Sequence, residues 1–432
     1  MQIFHRNLTK ELTEALMKRS VSHGNDVSRA KPILLLGLPC VGKSVLLRRT
    51  AADCGLRYIL ADLATDRELA ELLQDAADSA EVDAIIRELG RFFAISEENI
   101  SATAFFFDSG ETLGDDLSKL LRKRLPITTV IACNRPDLID QSAADCFTLQ
   151  PMTYEEFLSA AGRFEAVDAI RKAASAQQTL PEMLAEELEE LFYDYLLCGG
   201  FPQAVQSYLD SKNDVGHLRF VHEQIYATIR YCIFRLTPKG CKRSALDELL
   251  TYYSEAGACD LTTFRPNEIR RGATKAMYRN EHAFFEEFGL LVPVVKLPSE
   301  QKREEQIFYE ITDPGLMRFV CNDYDAFYHL DVTDLPMYMF RNVLYGECGK
   351  LRIKARCLSP SRRQFIPLVF ENAKTMIGID TKKTARDRSV KAFLQENHDY
   401  QSLSFSGRTK YENNGNHKIQ WFNLDAALDC KN

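Results

Sequence analysis

An eight-residue segment near the start of the sequence combines glycine, lysine and serine in an order that suits phosphate binding. The segment GLPCVGKS at 37–44 satisfies the pattern G-x-x-x-x-G-K-[ST], with a short apolar run at 33–37 before it and a predicted helix at 45–51 after it. Glycines let the backbone fold closely around a phosphate, and the amide groups at the helix start form a partly positive anion site. The order of strand, motif and helix favours a phosphate-binding loop over a chance glycine-rich turn.

The side chains of this loop predict a site for ATP with Mg²⁺. Lys43 is expected to reach the β- and γ-phosphates, and the hydroxyl group of Ser44 is expected to ligate the metal ion. The residues expected to bind the nucleotide are Gly37, Leu38, Pro39, Cys40, Val41, Gly42, Lys43, Ser44 and Val45.

A second apolar run ends in a carboxylate. Residues 104–108, with the sequence AFFFD, predict a strand that ends at Asp108. An aspartate in this place can cap the next helix, but beside a phosphate-binding loop the interpretation as metal support is favoured. Ser44 and Asp108 are therefore the predicted metal residues.

Further apolar runs predict the fold that positions these residues. Strands are expected at 57–62 and 128–133, and a helix at 66–89. Strands that alternate with helices form a parallel sheet, so the fold class is predicted to be α/β, a doubly wound P-loop sheet with its ligand at the C-terminal strand ends.

Three later segments resemble elements of one protein family. LQPMTYEEFL at 149–158, YLLCGGFP at 195–202 and YEITDPGLMR at 309–318 are similar, in this order, to segments of a large group of bacterial and archaeal AAA+ ATPases. Pro39 stands where this family often has Arg, and Gln203 where Glu is common. The resemblance covers most of the chain, and it implies an AAA+ ATPase with a winged-helix region and a C-terminal endonuclease-like domain of unknown function.

The resemblance also implies which residues act on the nucleotide. AAA+ ATPases usually place Glu directly after the metal-binding Asp, whereas Ser109 and Gly110 stand before Glu111 here. Asn134, at the end of the predicted strand 128–133, is either a polar sensor of the γ-phosphate or part of a turn. We expect either a Mg-ATP-dependent ATPase that couples hydrolysis to partner binding, or a nucleotide-controlled binding module with little hydrolysis. The expected catalytic residues are Lys43, Asp108, Glu111 and Asn134.

Residues 217–330 predict a winged-helix-like domain. Helical apolar spacing at 244–256 and 274–288 precedes two apolar runs, 290–295 and 306–311, which are expected to pair as strands. Glutamates interrupt the basic residues of this region, so its pattern fits both DNA contact and inter-domain packing. The cations that a DNA-reading helix would use are Arg265, Arg270, Arg271, Lys275 and Arg279.

The C-terminal region differs from the rest of the chain in charge. Residues 331–432 contain 17 Lys and Arg against 11 Asp and Glu, a net of +6, within a chain of net charge −7. The basic stretch 350–391 could hold a DNA backbone or complement the acidic part of the protein. IGIDTK at 377–382 resembles half of an endonuclease metal motif, but Pro367 stands where the other carboxylate is expected. Since one carboxylate cannot assemble the metal site, a nuclease is the remote alternative.

Composition limits the class of protein. With 432 residues, 45% hydrophobic and 27% charged, the chain predicts a folded protein rather than a disordered or collagen-like one. None of the 12 Cys forms a C-x-x-C pair, and no run of about 18 apolar residues exists, so we expect reduced thiols, no membrane span and a cytoplasmic location. A homo-oligomer or a protein partner is also expected. The predicted domains are 1–150 (nucleotide-binding), 151–216 (helical lid or linker), 217–330 (winged-helix-like) and 331–432 (degenerate endonuclease-like).

Overall fold

The structure is a computed structural model, and it divides the chain into two compact units. The first unit comprises Met1–Gln150 and Thr228–Leu236, and the second comprises Pro151–Ala227 and Thr237–Asn432. The residues that the structure describes are 4–21, 31–79, 81–135, 140–176, 180–211, 214–256, 264–297, 306–322, 324, 337–358, 368–370, 375–380, 401–406 and 416–419.

A five-stranded parallel sheet forms the centre of the first unit. Its strands are β1 (Ile33–Leu36), β2 (Arg57–Asp62), β3 (Thr103–Asp108), β4 (Thr129–Cys133) and β5 (Asp145–Thr148). They lie in the order β2-β3-β4-β1-β5, and the pairs within this sheet are parallel. The α/β fold and the four strands that the apolar runs predict are confirmed.

Helices connect these strands and cover the sheet. They are α1 (Leu8–Val21), α2 (Lys43–Asp53), α3 (Arg67–Asp78), α4 (Val82–Phe92), α5 (Glu97–Ile100) and α6 (Asp116–Arg122). The side chains of Leu73, Phe105 and Leu117 are fully buried in one hydrophobic cluster, which joins α3 and α6 to the face of β3. Because β1, β3 and β4 are neighbours and parallel, their C-terminal residues meet at one edge of the sheet.

The prediction of one helix over 66–89 is wrong, because α3 and α4 are separate helices. Asp66 caps the first turn of α3 through a hydrogen bond from the amide of Leu69, and α3 ends where Ser79 becomes extended. Glu81 is also extended, and α4 begins at the next residue. Each helix has its own amphipathic pattern, and composition alone did not reveal the break between them.

The second unit begins with helices. They are α7 (Tyr154–Ala160), α8 (Phe164–Ala176), α9 (Glu182–Cys198), α10 (Pro202–Asp210) and the first part of α11 (Val215–Arg235). Thr153 and Glu156 form a capping box at the start of α7, in which each side chain binds the backbone amide of the other residue.

The rest of the second unit combines helices with two sheets. Its helices are α12 (Arg243–Ala256), α13 (Pro266–Ile269), α14 (Arg279–Phe288), α15 (Pro314–Val320) and α16 (Met337–Lys350). One sheet contains β6 (Leu291–Lys296), β7 (Gln306–Ile311) and β8 (Ala355–Cys357). The other contains β9 (Leu368–Phe370), β10 (Thr375–Asp380), β11 (Gln401–Ser406) and β12 (Asn416–Ile419).

The elements predicted within 217–330 agree with the structure in part. Strands β6 and β7 pair in an antiparallel manner, with Leu291 opposite Ile311, as the apolar runs predict. The helix predicted at 274–288 begins later, because Lys275–Tyr278 is a 3₁₀ helix and α14 starts only at Arg279. The residues of the predicted nuclease motif at Pro367 and Lys382 lie outside the described residues, so that prediction stays untested.

Two segments that resemble family elements contact each other in the second unit. The carboxylate of Asp313 accepts hydrogen bonds from the amide of Gly200, at 2.7 Å, and from the amide of Leu316, at 3.0 Å. A Cβ atom at Gly315 would lie 2.4 Å from the carbonyl oxygen of Cys198. Glycine is therefore required where these two backbones meet.

Lys350 belongs to this buried region and not to an exposed basic surface. Its side chain is fully buried, and Nζ donates to the carboxylate of Glu347 at 3.0 Å, to the carbonyl of Met152 at 3.1 Å and to the hydroxyl of Tyr195. Asp313 lies 3.7 Å away. The interpretation of Lys350 as a phosphate-binding cation is therefore wrong, because a buried and paired ammonium group cannot reach a polyanion.

An aromatic cluster surrounds His282 on α14. Nε2 of His282 lies 2.7 Å from the hydroxyl of Tyr253, Nδ1 lies 2.9 Å from the carbonyl oxygen of Tyr278, and the imidazole stacks on Tyr309. The carbonyl can only accept, so Nδ1 carries the proton and Nε2 accepts from Tyr253. Burial lowers the pKa of His282 from 6.5 to about 4.

We predict that protonation of His282 destabilises the protein in acid. Between pH 6.5 and about 4 the unfolded chain binds a proton that folded His282 does not bind, so stability falls as the pH falls through this range. The loss amounts to at most about 3 kcal/mol. Urea unfolding at several pH values should show a weaker pH dependence for His282→Gln than for the wild type. The exposed His217 provides the control, and equal slopes for His217→Gln and His282→Gln would contradict the prediction.

Candidate functional site

The predicted phosphate-binding loop, residues 37–44, connects the end of β1 to the start of α2. Gly37 has φ +150°, and a Cβ atom there would lie 2.2 Å from the carbonyl oxygen of Leu149. Gly42 has φ 96° and caps α2, whose first backbone hydrogen bond runs from Leu46 to Gly42. Both glycines therefore adopt backbone conformations that side chains rarely allow, and the loop leads directly into the positive end of an 11-residue helix.

Lys43 lies at the centre of the site. Its Nζ donates to the carbonyl oxygens of Gly37 and Leu38, both at 2.9 Å, and to Oδ1 of Asn134 at 2.6 Å. The residue is only 7% exposed, and burial lowers the pKa of its ammonium group, while the charges of Asp108 and Glu111 raise it. The structure thus holds a lysine ammonium group inside the loop, with neutral oxygens as its direct partners.

Ser44 and Asp108 are direct partners. The Oγ atom of Ser44 donates to Oδ2 of Asp108, and Oδ1 of the same carboxylate accepts from the amide of Ser109 at 2.8 Å. Asp108 is the last residue of β3, which places its side chain at the same sheet edge as the loop. The structure therefore brings together the two predicted metal residues.

Glu111 reaches the site despite the two residues that separate it from Asp108. Ser109 adopts a left-handed conformation with φ 58°, and the chain then forms a 3₁₀ helix at Gly110–Leu113. A Cβ atom at Gly110 would lie 2.4 Å from the side chain of Ile131, so this turn packs tightly on β4. The sharp turn directs the Glu111 carboxylate back toward the ends of the strands.

Asn134 joins Glu111 to Lys43. Its backbone amide donates to Oε2 of Glu111 at 3.0 Å, and its Nδ2 donates to Oε1 at 2.6 Å, while its Oδ1 accepts from Lys43. Both Glu111 oxygens are bound, and the residue is only 9% exposed. Three of the four predicted catalytic residues, Lys43, Asn134 and Glu111, therefore form one hydrogen-bonded group, and the fourth, Asp108, is bonded to Ser44 at the same sheet edge.

The last part of α11 also belongs to this unit, which the sequence did not predict. The thiol of Cys40 in the phosphate-binding loop is hydrogen-bonded to the side chain of Thr228. Nη1 of Arg135 donates to the carbonyl oxygen of Leu236 at 2.7 Å. No sequence signal placed a helix from beyond 150 at this site, because its contacts span 101 residues or more along the chain.

Several thiols surround the loop. Burial raises the pKa of Cys40, and it raises the pKa of Cys232 to about 11, with a further increase from the charge of Glu111. Cys133, at the end of β4, has a pKa well above its ordinary value for the same reason. The cysteines that the structure describes are free. Because their pKa values are raised, Cys40, Cys133 and Cys232 are neutral thiols at pH 7.

The donor set fits Mg²⁺ that arrives with phosphate groups. In the described part of the chain, no group of three or more His, Cys, Asp or Glu side chains could hold a metal ion. Here a serine hydroxyl and one carboxylate contact each other. Mg²⁺ is usually bound by one or two such protein oxygens, while phosphate and water occupy its other octahedral positions. Ser44 and Asp108 would hold the ion, and the ion would neutralise charge on the phosphate oxygens.

No helix among the described residues is long and apolar enough to cross a membrane.

Comparisons with known proteins give distant structural neighbours. No family model and no curated protein matches the sequence. A Walker-type ATPase of Pyrococcus abyssi is 16% identical, with a TM-score of 0.43 over 74% of this chain and 96% of the other. The RuvB Holliday junction branch migration motor of Thermotoga maritima is 16% identical, with a TM-score of 0.33 over 71% and 92%. A variant of that protein is 17% identical, with a TM-score of 0.32 over 71% and 93%. We therefore base the function on the geometry of the site.

We predict that the backbone of Gly37 is essential for the loop. Gly37→Ala forces a Cβ atom against the Leu149 carbonyl, and we expect it to lower the free energy of unfolding by about 3 kcal/mol or more. Gly55 also has positive φ, but a Cβ atom there meets nothing within 4 Å, so Gly55→Ala should cost only about 1 kcal/mol. Urea unfolding measures both values, and equal losses would contradict the prediction.

Proposed function

We propose that this protein is an ATPase that binds ATP with Mg²⁺ and hydrolyses it to ADP and phosphate. The observation that supports this best is the hydrogen-bonded series from Lys43 through Asn134 to Glu111, beside the contact of Ser44 with Asp108. These residues lie at the C-terminal ends of neighbouring parallel strands, where α/β sheets bind their ligands.

The loop supports binding of a triphosphate for electrostatic reasons. Its amide groups, the start of α2 and Lys43 all present positive charge to the same place. The carbonyl oxygens that now bind Lys43 hold its ammonium group within the loop, where β- and γ-phosphate oxygens would replace them as stronger acceptors. Residues 37–45 are therefore proposed as the phosphate-binding residues.

Glu111 supports hydrolysis rather than binding alone. In the proposed reaction a water oxygen forms a bond to the γ-phosphorus, and the bond from that phosphorus to the β–γ bridging oxygen breaks. Glu111 orients the water and accepts its proton, which then passes to the released phosphate. Asn134 holds the Glu111 carboxylate before the nucleotide arrives, and it links that carboxylate to Lys43, which contacts the nucleotide.

A binding module without turnover is the alternative. Ser109 in the usual glutamate position favours it, but the left-handed turn at Ser109 returns Glu111 to the site, which favours hydrolysis. The two functions differ in one measurement, the release of phosphate by the wild-type protein.

We predict that binding and hydrolysis depend on different residues. Lys43→Ala should reduce ATP affinity at least about 100-fold, because it removes a buried cation that contacts phosphate. Glu111→Gln should bind ATP within a few-fold of wild type but lower kcat by about 100-fold or more. Titration with a fluorescent ATP analogue measures affinity, and phosphate release measures kcat.

The exposed Glu98, in the same unit, provides the control as Glu98→Gln and should behave as wild type. Wild-type phosphate release at background, with nucleotide binding intact, would establish the alternative. ATP binding that Lys43→Ala does not weaken would contradict both functions.

We further propose that the second unit binds a DNA backbone near α12 and α14. The amide of Lys242 donates to buried Glu281 at 2.9 Å, and Asn280 donates to the carbonyl of Gly240 at 3.2 Å, so the segment before α12 lies against the start of α14. Among the predicted DNA-contacting cations, Arg265 instead pairs with Glu268 at 3.0 Å. The exposed cations near this junction are Lys239, Lys242, Arg243, Lys275 and Arg279.

We predict that this junction controls the salt dependence of duplex binding. Lys242→Glu with Arg279→Glu should weaken binding of a fluorescent duplex and reduce the slope of log K against log salt by about 2. Arg67→Glu with Lys119→Glu in the first unit makes the same change in net charge and serves as the control. If both double substitutions weakened duplex binding equally in anisotropy titrations, the result would contradict a DNA-binding surface confined to this junction. Of the basic stretch 350–391, residues 359–367, 371–374 and 381–391 lie outside the described residues.

A further inference from the structure

The segment before α1 contacts the phosphate-binding loop through Arg6. The residue is only 5% exposed, although its side chain is long and charged. Nη1 of Arg6 donates to the carbonyl oxygen of Val41 in the loop, at 3.0 Å, and Nη2 donates to the carbonyl oxygen of Gln150, at 2.5 Å. One guanidinium group therefore connects three parts of the first unit: the segment before α1, the loop and the segment after β5.

The bond to Val41 sets the direction of an amide group in the loop. The peptide unit that joins Val41 to Gly42 is trans. Such a unit is planar, and its C=O and N–H bonds point to opposite sides. Because Arg6 holds the Val41 carbonyl on one side of the loop, the amide of Gly42 points away from Arg6, to the other side.

The Gly42 amide is available to a ligand. Gly42 immediately precedes α2, and the first amides of a helix have no partner within the helix. No residue that the structure describes accepts a hydrogen bond from the amide of Gly42. An amide of this kind, at the positive end of a helix, suits an anion such as a phosphate group.

The conformational freedom of Gly42 makes an external constraint necessary. Gly42 has φ 96°, which side chains rarely allow. A glycine populates positive and negative φ about equally, so Gly42 by itself would let the peptide unit 41–42 rotate and turn its amide away from the ligand. The hydrogen bond from Arg6 to the Val41 carbonyl opposes that rotation.

The second bond holds Arg6 itself in place. Gln150 follows Leu149, whose amide donates to the carbonyl oxygen of Leu36 at 2.8 Å. Leu36 is the last residue of β1, so the segment that binds Arg6 is attached to the centre of the sheet. Arg6 thus fixes the position of the Val41 carbonyl relative to the sheet.

We propose that Arg6 is a positioning residue, which holds the peptide unit 41–42 in the orientation in which the Gly42 amide binds a phosphate group of the nucleotide. This inference rests on the proposed function, because it requires that the loop binds ATP and ADP. Arg6 does not contact the phosphate in this role, and it neither gains nor loses a proton. The amide binds phosphate before and during the reaction alike, so Arg6 should affect nucleotide affinity more than the chemical step.

A second buried arginine of the same unit provides the matched control. Arg19 on α1 is 8% exposed, donates to the carbonyl oxygens of Ala15 at 2.6 Å and Lys31 at 2.8 Å, and pairs with Asp145. Lys31 precedes β1 and Asp145 begins β5, so these two partners lie at the N-terminal ends of the strands, whereas the loop follows the C-terminal end of β1. Arg19→Ala should therefore reduce stability without changing the loop.

The first test observes the peptide unit itself and does not depend on turnover. The sequence contains two Val–Gly pairs, at 41–42 and at 215–216. Protein labelled with ¹³C at the valine carbonyls and with ¹⁵N at glycine therefore gives two signals in an NMR spectrum that correlates each amide with the preceding carbonyl. One signal reports the Val41 carbonyl and the Gly42 amide, and the signal of Gly216 on α11 serves as the internal reference.

This spectrum should distinguish the two arginines. In nucleotide-free protein, Arg6→Ala should shift the carbonyl frequency of Val41, because this carbonyl loses its hydrogen bond, while Arg19→Ala should leave it unchanged. Saturating MgADP should shift the amide frequency of Gly42 in wild type and in Arg19→Ala, and that shift should be much smaller in Arg6→Ala. The Gly216 signal should be the same in all three proteins.

Affinity and turnover give the second test, at a temperature at which circular dichroism shows each variant to be folded. Arg6→Ala should weaken MgADP binding at least about 10-fold, since it misplaces a hydrogen bond to a charged group. It should raise the KM for ATP by a similar factor and leave kcat within about 3-fold of wild type. Arg6→Lys should recover part of the affinity, because an ammonium group can still donate to the Val41 carbonyl. Arg19→Ala should match wild type in both measurements.

The outcomes separate the inference from the proposed function. If wild type binds MgADP and Arg6→Ala matches it in affinity and in the Gly42 signal, the role of Arg6 is overturned and the proposed function stands. Equal losses of affinity in Arg6→Ala and Arg19→Ala would assign both to lost stability and overturn a specific role, as would a lower kcat with unchanged KM. If Arg6→Ala does not fold, Arg6→Lys against Arg19→Lys makes the same comparison. If wild type binds neither MgADP nor MgATP, the proposed function fails and the role of Arg6 fails with it.

Discussion

The site depends on keeping the ammonium group of Lys43 inside the protein without a direct carboxylate partner among the residues that the structure describes. A buried charge requires compensation, and the structure supplies it with two backbone carbonyls and the amide oxygen of Asn134. Carboxylates are present nearby at Asp108 and Glu111, but each is bonded to another group. Because no carboxylate of the described residues forms a salt bridge with Lys43, direct ion pairing leaves its charge unneutralised. The conformations of the loop glycines, the order of the strands and the turn at Ser109 together place these groups around Lys43.

The same arrangement explains why the spacing between Asp108 and Glu111 does not exclude Glu111 from the site. A glutamate directly after Asp108 would continue the strand. Here the left-handed residue Ser109 reverses the chain, and Gly110 packs closely enough on Ile131 that no side chain would fit. The backbone conformations of Ser109 and Gly110 thus bring Glu111 to the site, although these two residues separate it from Asp108 in the sequence. The pair of hydrogen bonds from Asn134 then fixes the orientation of the Glu111 carboxylate.

The sequence predicted the parts of the site that depend on local pattern. Apolar runs predicted β1, β2, β3 and β4 to within a residue. β1, β3 and β4 are almost wholly buried, and such strands leave an uninterrupted apolar signal, whereas β2 is a partly exposed edge strand. The pattern of glycine and lysine at residues 37–44 predicted the loop. The break between α3 and α4 was missed, because a helical composition continues across it. The position of Glu111 depends on a φ angle that residue type alone does not determine.

Contacts between distant parts of the sequence could not be predicted in the same way. Lys350 looked like a member of a basic cluster, whereas tertiary packing buries it against Glu347 and Tyr195. Likewise, nothing in the composition of α11 separates Thr228–Leu236 from the residues before it. The hydrogen bond between Thr228 and Cys40, and the one that Arg135 donates to Leu236, connect this short piece to the first unit.

This discontinuity affects how the protein is made. The sheet of the first unit is encoded before residue 151, yet the unit also includes Thr228–Leu236. During synthesis the ribosome must add all of α7 to α10 before that segment is made, so the partners of Arg135 and Cys40 are absent when the strands of the sheet have already been synthesised. Closing a connection of this length slows folding, since chain entropy must be lost before the contact forms. A chain released at Gln150 would contain the complete phosphate-binding motif and still lack one wall of its site.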